Sequence, residues 1–146
     1  LLDKALQLAG DRLQLNSISV VKDLCEKNCR IQADEDKILI AFLNIIINGI
    51  EAMKAGEGRL NIAAWQEPDR VFVRIADNGS GIPPQNLVKL FEPFFTNKTK
   101  GTGLGLYLTK KIVQTHNGNI TIADNLPRGS MFEIILKEQK RSFLST

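Results

Sequence analysis

Histidine is nearly absent from this chain: His116 is the only one in 146 residues. Cysteine is scarce as well. Cys25 and Cys29 stand alone with spacing C-x3-C, and no second Cys or His cluster completes a four-ligand zinc site. The pair reads as two reduced thiols of a cytosolic domain, with a metal or a disulfide as the alternative. No long hydrophobic run is present. The longest, Ile38 to Ile47 interrupted by Asn44, falls far short of the roughly 20 residues a membrane-spanning helix requires. No signal peptide is expected from the sequence pattern. Neither sign of charge dominates, since 19 Lys and Arg against 16 Asp and Glu leave +3, too mild an excess to argue for a nucleic-acid partner. The chain opens on Leu1 rather than Met, from which a piece of a longer polypeptide is expected.

What is present is the balance of one globular domain, 43% hydrophobic and 24% charged, which excludes a disordered tail, a collagen-like repeat and a coiled coil. A domain of this length buries roughly two-thirds of the surface its unfolded chain exposes and needs no disulfide staple. Apolar residues at helical spacing predict a first amphipathic helix over 3–15, weakened by Gly10. Ile18 to Leu24 reads as a strand, with a short extended piece at Arg30 to Ala33. Asp34-Glu-Asp36 suits a helix N-terminus and precedes a long apolar helix, Asp36 to Met53. Arg59 to Glu67 and Val71 to Asp77 alternate apolar and polar residues around Pro68-Asp69-Arg70, as a hairpin does. One helical turn is expected near Asn86 to Leu90, then a helix from Leu104 to Thr115 stopped by Asn117-Gly118, then strands at Asn119 to Asp124 and Ser130 to Lys137. The order is roughly αββαββαββ. Residues 1–137 form the expected domain, and 138–146 a polar tail. Strands in adjacent pairs favour an α+β two-layer α/β sandwich, with a mixed, mostly antiparallel sheet covered on one face by about three helices.

Three segments carry chemistry. On the central helix Asn44, Asn48 and Glu51 lie at i, i+4 and i+7 and share one face of an otherwise apolar rod. Buried polar groups require partners, and amide oxygens are neutral, hard donors of the kind that suit Mg²⁺; two core asparagines bonded to neighbouring backbone would give the same pattern. Asp77 continues the apolar face of Val71, Val73 and Ile75 just as its strand ends. It is followed by Asn78-Gly-Ser-Gly81, whose glycines allow positive φ and close approach to a ligand. The exocyclic amine of adenine would satisfy that carboxylate, while an ordinary Asp-Asn-Gly turn is the simpler alternative. Gly101-Thr-Gly-Leu-Gly105 stands directly before a helix, where free N–H groups and the helix dipole favour phosphate, with Lys98 and Lys100 upstream. It matches neither G-x-G-x-x-G nor the P-loop, and no H-R-D or D-F-G triplet is present. Together the three segments describe an ATP pocket built without a P-loop.

With these blocks in hand, the sequence resembles the catalytic, ATP-binding domain of bacterial sensor histidine kinases, a branch of the superfamily shared with DNA gyrase, heat-shock chaperone and mismatch-repair ATPases. The resemblance rests on an asparagine box (Phe42 to Met53), a glycine box (Asp77 to Ile82), a phenylalanine box (Phe91 to Lys98) and a second glycine box (Gly101 to Leu106), in that order. His116-Asn-Gly118 and Gly129-Ser-Met-Phe132 extend it. It implies a Bergerat-type ATP-binding fold with ATP and Mg²⁺ as cofactors. Asn48 would bind the metal, and Asn44, Asn48 and Lys98 would form the catalytic set. Asp77 would accept from the adenine amine, with Gly79, Gly81, Ile82 and Ser130 shaping the base pocket beside Glu51 and Ala52. Phe91 to Thr102 would form a lid carrying Phe95, Thr96 and Lys98. Gly101, Thr102, Gly103, Leu104, Gly105 and Leu106 would close on the triphosphate.

The resemblance also implies a partner histidine on a dimerisation domain of the same parent, a response regulator receiver domain, a homodimeric parent and a cytoplasmic location. Asn44 stands where water-activating members of the superfamily carry Glu. An amide is no general base, so phosphoryl transfer is expected rather than rapid hydrolysis. An ATP hydrolase and a non-catalytic nucleotide-binding module are the alternatives. Gly49 replaces a common Ala, Glu51 sits where several relatives carry a base, and Asn117 replaces a usual Gly. His116, at the end of its helix, reads as structural, since the family's phosphoacceptor lies on a separate helical hairpin.

Overall fold

The computed structural model describes residues 1–24, 33–95 and 105–137. The first predicted helix is two: α1, Leu2–Leu8, and α2, Gly10–Leu15, with Ala9 between them at φ −87°, ψ 1°. Gly10, the residue that weakens the helical pattern, starts the second piece, in keeping with glycine's low helix propensity. Leu2, Ala5, Ala9 and Leu13 nevertheless stay buried along one side. Strand β1 is Ser19–Asp23. The extended piece expected at Arg30 to Ala33 lies outside the described residues except for Ala33, which has no regular structure.

The central helix, α3, runs Glu35–Ala52, and its N-terminus is capped by Asp34, whose side chain accepts from the Lys37 N–H. Glu35 and Asp36 in its first turn complement the helix dipole. Its buried side, Ile38, Ala41, Phe42, Ile45, Ile46 and Ile50, is the middle of the core. Each large aliphatic residue buried there contributes about 1.5–3 kcal/mol of transfer free energy. The hairpin strands are β2, Arg59–Glu67, and β3, Arg70–Asp77; the one-turn α4 is Pro84–Leu87. Helix α5, Gly105–Thr115, precedes β4, Asn119–Asp124, and β5, Ser130–Lys137.

The five strands form one sheet in the order β1-β2-β3-β5-β4. Only β1 and β2 run parallel; the other three pairings are antiparallel. The sheet's inner face, including Leu60, Ile62, Val73, Ile75, Phe132 and Ile134, meets the apolar sides of α3 and α5, and α1 packs against α3. Its outer face carries a stacked Trp65–Phe72 pair, centroids 5.1 Å apart, with the Arg74 guanidinium 5.0 Å above Trp65 and bonded to Glu133 at 2.8 Å. The expected α+β sandwich is therefore the observed one. The described elements run α-α-β-α-β-β-α-α-β-β; the second strand of the expected αββαββαββ order falls almost wholly on residues outside the described set. No helix among the described residues is long and apolar enough to cross a membrane.

Candidate nucleotide-binding site

The register of the hairpin places Asp77 opposite Leu60, at the inner end of β3, so its carboxylate continues the core face as the sequence pattern predicts. Only 3% of Asp77 is exposed. Its Oδ1 accepts from the Gly79 N–H at 2.9 Å and from the Ser130 N–H at 3.3 Å. Burial pushes the carboxyl above its ordinary range, and the two N–H donors pull in the opposite direction. The role of Ser130 here is that of its main chain, which holds Asp77 from β5.

The loop after Asp77 is tied down on both sides. The Asn78 side chain accepts from the Arg59 N–H at 2.8 Å and donates to the Glu57 carbonyl at 3.0 Å. The Ser80 N–H donates to the Ala52 carbonyl, the last residue of α3, at 3.1 Å. This approach requires glycine at 79, since a Cβ there would run into the Ala52 carbonyl. Gly81, at φ +74°, takes the left-handed conformation that its absent side chain permits. The Asn125 side chain donates to the Asp77 carbonyl at 2.8 Å and Arg128 Nε to the Gly79 carbonyl at 3.0 Å.

One cavity, of about 220 Å³, opens between this loop and α3. Asn48, Glu51, Ala52, Gly81, Ile82 and Phe95 line it, together with Ser80, Asn86 and Leu90. The structure thus gathers six residues of the sequence-derived set around one space; Asp77, at the end of β3, and Gly79, in the loop that follows, are not among those lining it. Phe91 instead packs edge-on to Phe132, centroids 6.4 Å apart, while Phe94 is exposed. A larger cavity, about 610 Å³, bordered by Lys54, Arg59, Asn78 and Arg128, shares none of the residues of the first.

Asn44, one turn before Asn48, is committed to α5. Its Nδ2 donates to the Gly105 carbonyl at 3.2 Å and to Thr109 Oγ1 at 3.3 Å. Gly105 begins that helix, and Leu106 packs against the core. Glu51 Oε1 lies 3.8 Å from Arg12 of α2, which brings a basic group beside position 51. Thr96, Lys98, Lys100, Gly101, Thr102, Gly103 and Leu104 lie outside the described residues, as do Cys25 and Cys29. His116 Nδ1 lies 2.8 Å from the Ile112 carbonyl, and Nε2 accepts from the Asp34 N–H at 3.0 Å. A carbonyl only accepts, so the ring is neutral with its hydrogen on Nδ1, and it staples the end of α5 to the cap of α3.

The sequence reading missed Thr109, Arg128, Asn125 and Arg12. Thr109 alone carried a signal, a hydroxyl on the buried face of α5.

Residues 33–140 match the model of the family described as histidine kinase-, DNA gyrase B-, and HSP90-like ATPase. The chain belongs to this family, as the catalytic ATP-binding domain of a sensor histidine kinase. Sporulation kinase C of Bacillus subtilis is 36% identical over 123 residues, and the match covers 84% of this chain and 28% of that protein. The signal transduction histidine-protein kinase AtoS of Escherichia coli is 38% identical over 131 residues, covering 89% of this chain and 21% of its own length. The chain thus spans about a quarter of these curated relatives. The solved catalytic domain of histidine kinase ThkA superposes with a TM-score of 0.86 at 29% identity, covering 94% of this chain and 90% of that one. A structure of ThkA in complex with response regulator protein TrrA matches with a TM-score of 0.80 at 25% identity, over 94% of this chain and 39% of that one.

Proposed function

We propose that this domain transfers the γ-phosphoryl group of MgATP to a histidine on a dimerisation domain of the same parent, from which a response regulator receiver domain is phosphorylated. The observation that carries the reading is the pairing of Asp77 with Asn44. Asp77 is a buried carboxylate that two main-chain N–H groups hold in place, suited to accept from an adenine amine. Asn44 occupies the position of a water-activating base, yet it is an amide whose NH₂ faces α5. Adenine recognition without a base for water favours transfer to another nucleophile over hydrolysis, because a neutral imidazole attacks without losing a proton first.

The donor set fits Mg²⁺. Asn48 offers an amide oxygen and Glu51 a carboxylate on the same cavity wall, and hard oxygen ligands are what this ion takes while keeping waters and phosphates in its remaining positions. When bound, Mg²⁺ would neutralise charge on the triphosphate. The chain's own residues do the rest: Asp77 orients the base, Gly79 and Gly81 bring the backbone close to it, and α3 presents Asn48 to the phosphates. Lys98 and the glycines of 101–105 are assigned to the triphosphate by the resemblance. The response regulator partner is supported by the ThkA–TrrA complex, in which a similar kinase is bound to one. A homodimeric parent with this domain on the cytoplasmic side accords with a sensor kinase.

The test is incubation with γ-labelled MgATP, with and without the histidine-bearing segment of the parent. Label on that segment supports the kinase, binding without transfer supports a nucleotide-binding module, and rapid release of free phosphate by the domain alone supports a hydrolase.

A further inference from the structure

Thr109 carries a hydroxyl with no exposure at all, on the helix facing α3. Its Oγ1 donates to the Gly105 carbonyl at 2.8 Å. That single hydrogen being spent, the oxygen meets Asn44 as an acceptor, and Asn44 Nδ2 approaches it at 3.3 Å. The same Nδ2 also lies 3.2 Å from the Gly105 carbonyl, so the two oxygens, 2.8 Å apart, share the amide hydrogen that points toward α5. Three groups on two helices, 61 and 65 residues apart in sequence, close a triangle of hydrogen bonds. The triangle also decides which way the Asn44 amide is turned. An asparagine's oxygen and nitrogen are normally distinguished only by their partners, and here one partner is a carbonyl, which cannot donate. Nδ2 therefore faces α5, and the atom left over at position 44 is Oδ1.

We propose that Thr109 is a positioning residue: it locks the Asn44 amide so that position 44 offers an acceptor, one helical turn from Asn48, rather than a donor. An acceptor there receives hydrogens from the water shell of a metal-bound triphosphate; an NH₂ would bind phosphate oxygens whether or not the metal is present. The inference rests on the reading of Asn48 as the metal ligand. It predicts that the Thr109 hydroxyl contributes to the metal-dependent part of nucleotide affinity only.

The experiment is calorimetric titration of a non-hydrolysable ATP analogue into the wild-type domain and into Thr109→Val, Thr109→Ser and Asn48→Ala, each with Mg²⁺ and with chelator. Thr109→Val removes the hydroxyl at nearly constant shape and should reduce the affinity gained on adding Mg²⁺ about fivefold, the effect of one modest hydrogen bond. Metal-free affinity should stay unchanged, and Thr109→Ser should restore the wild-type gain. A Thr109→Val protein with the full gain, or one that loses metal-free and Mg²⁺-dependent affinity equally, overturns the proposal. Asn48→Ala separates the two readings. If it keeps the full Mg²⁺ gain, the metal assignment fails and the role of Thr109 with it. If it loses the gain while Thr109→Val keeps it, only the role of Thr109 fails. Should Thr109→Val not fold, hydrogen exchange of the Asn44 side-chain amide in the wild-type domain decides: slow exchange of the hydrogen that faces α5 supports the latch, and exchange of it at the free-amide rate overturns it.

Discussion

Replacing Asp77 with Asn changes one charge and almost no volume. Oδ1 remains an acceptor for the Gly79 and Ser130 N–H groups, so the loop that Asp77 organises should stay in place. What changes is the second oxygen, which becomes an NH₂ and meets the adenine amine donor to donor. A hydrogen bond to a charged group is worth about 1.5–3 kcal/mol, so ATP affinity should fall about 10- to 150-fold while GTP affinity moves little. Calorimetric titration of both nucleotides measures this, and an unaltered preference for ATP over GTP removes Asp77 from the base pocket. A second readout comes from stability. Burial raises the Asp77 carboxyl above its ordinary value of 3.8, so the folded state holds its proton more tightly than the unfolded state does. That contribution is fully present below the unfolded value and is lost as pH rises through the folded one. The amide of the Asp77→Asn variant has no proton to lose. The stability of wild type relative to the variant should therefore decline from about pH 4 upward until the folded-state carboxyl has ionised, as urea titrations across that range would read. A difference that does not move with pH refutes the buried, raised carboxyl.

Three further substitutions test other parts. Asn48→Ala should abolish the Mg²⁺-dependent part of nucleotide affinity, and unchanged MgATP binding by calorimetry would sink the metal assignment. Gly49→Ala should stabilise the domain by about 1 kcal/mol through helix propensity, because its Cβ would meet Leu60 Cδ1 at 3.4 Å and Asp77 Cβ at 3.5 Å, ordinary contact distances; a fall in thermal midpoint contradicts that. His116→Ala removes two hydrogen bonds to main chain and should cost about 1–2 kcal/mol in urea unfolding, with phosphoryl transfer retained by the folded protein. Loss of transfer at full folding would give His116 a direct part in it.

The elements read from sequence hold wherever the signal is local. The bounds of β2, β4 and β5 coincide with the alternating segments, and β3 begins one residue earlier, at Arg70, because hairpin alternation and turn residues act over a few positions. The cap at Asp34 is likewise a contact three residues long. The parallel placement of β1 beside β2 was not legible, since it depends on a connection that passes through α3 and on which sheet edge is left open. The same limit applies to the site. Asp77 could be assigned to the inner face from strand periodicity, and Asn44, Asn48 and Glu51 to one helix face from their spacing. The partners of these residues could not. Arg12 at Glu51, Arg128 at Gly79 and Thr109 at Asn44 are brought together by tertiary packing, and an arginine on a turn or a threonine in a helix carries no mark of the group it will meet. Asn44 is the instructive case: its residue type excluded a base, but only its two bonds to α5 show which end of the amide is committed.

The central claim, that ATP held by Asp77 and Asn48 is spent on a histidine outside this chain, is tested most directly by γ-labelled MgATP and the parent's histidine-bearing segment added in trans. The account predicts label on that segment, lost when its histidine is replaced and when Asp77 is changed to Asn at limiting ATP, with little free phosphate released by the domain alone. Rapid release of phosphate without the segment, or nucleotide binding with no label on the segment, would contradict it.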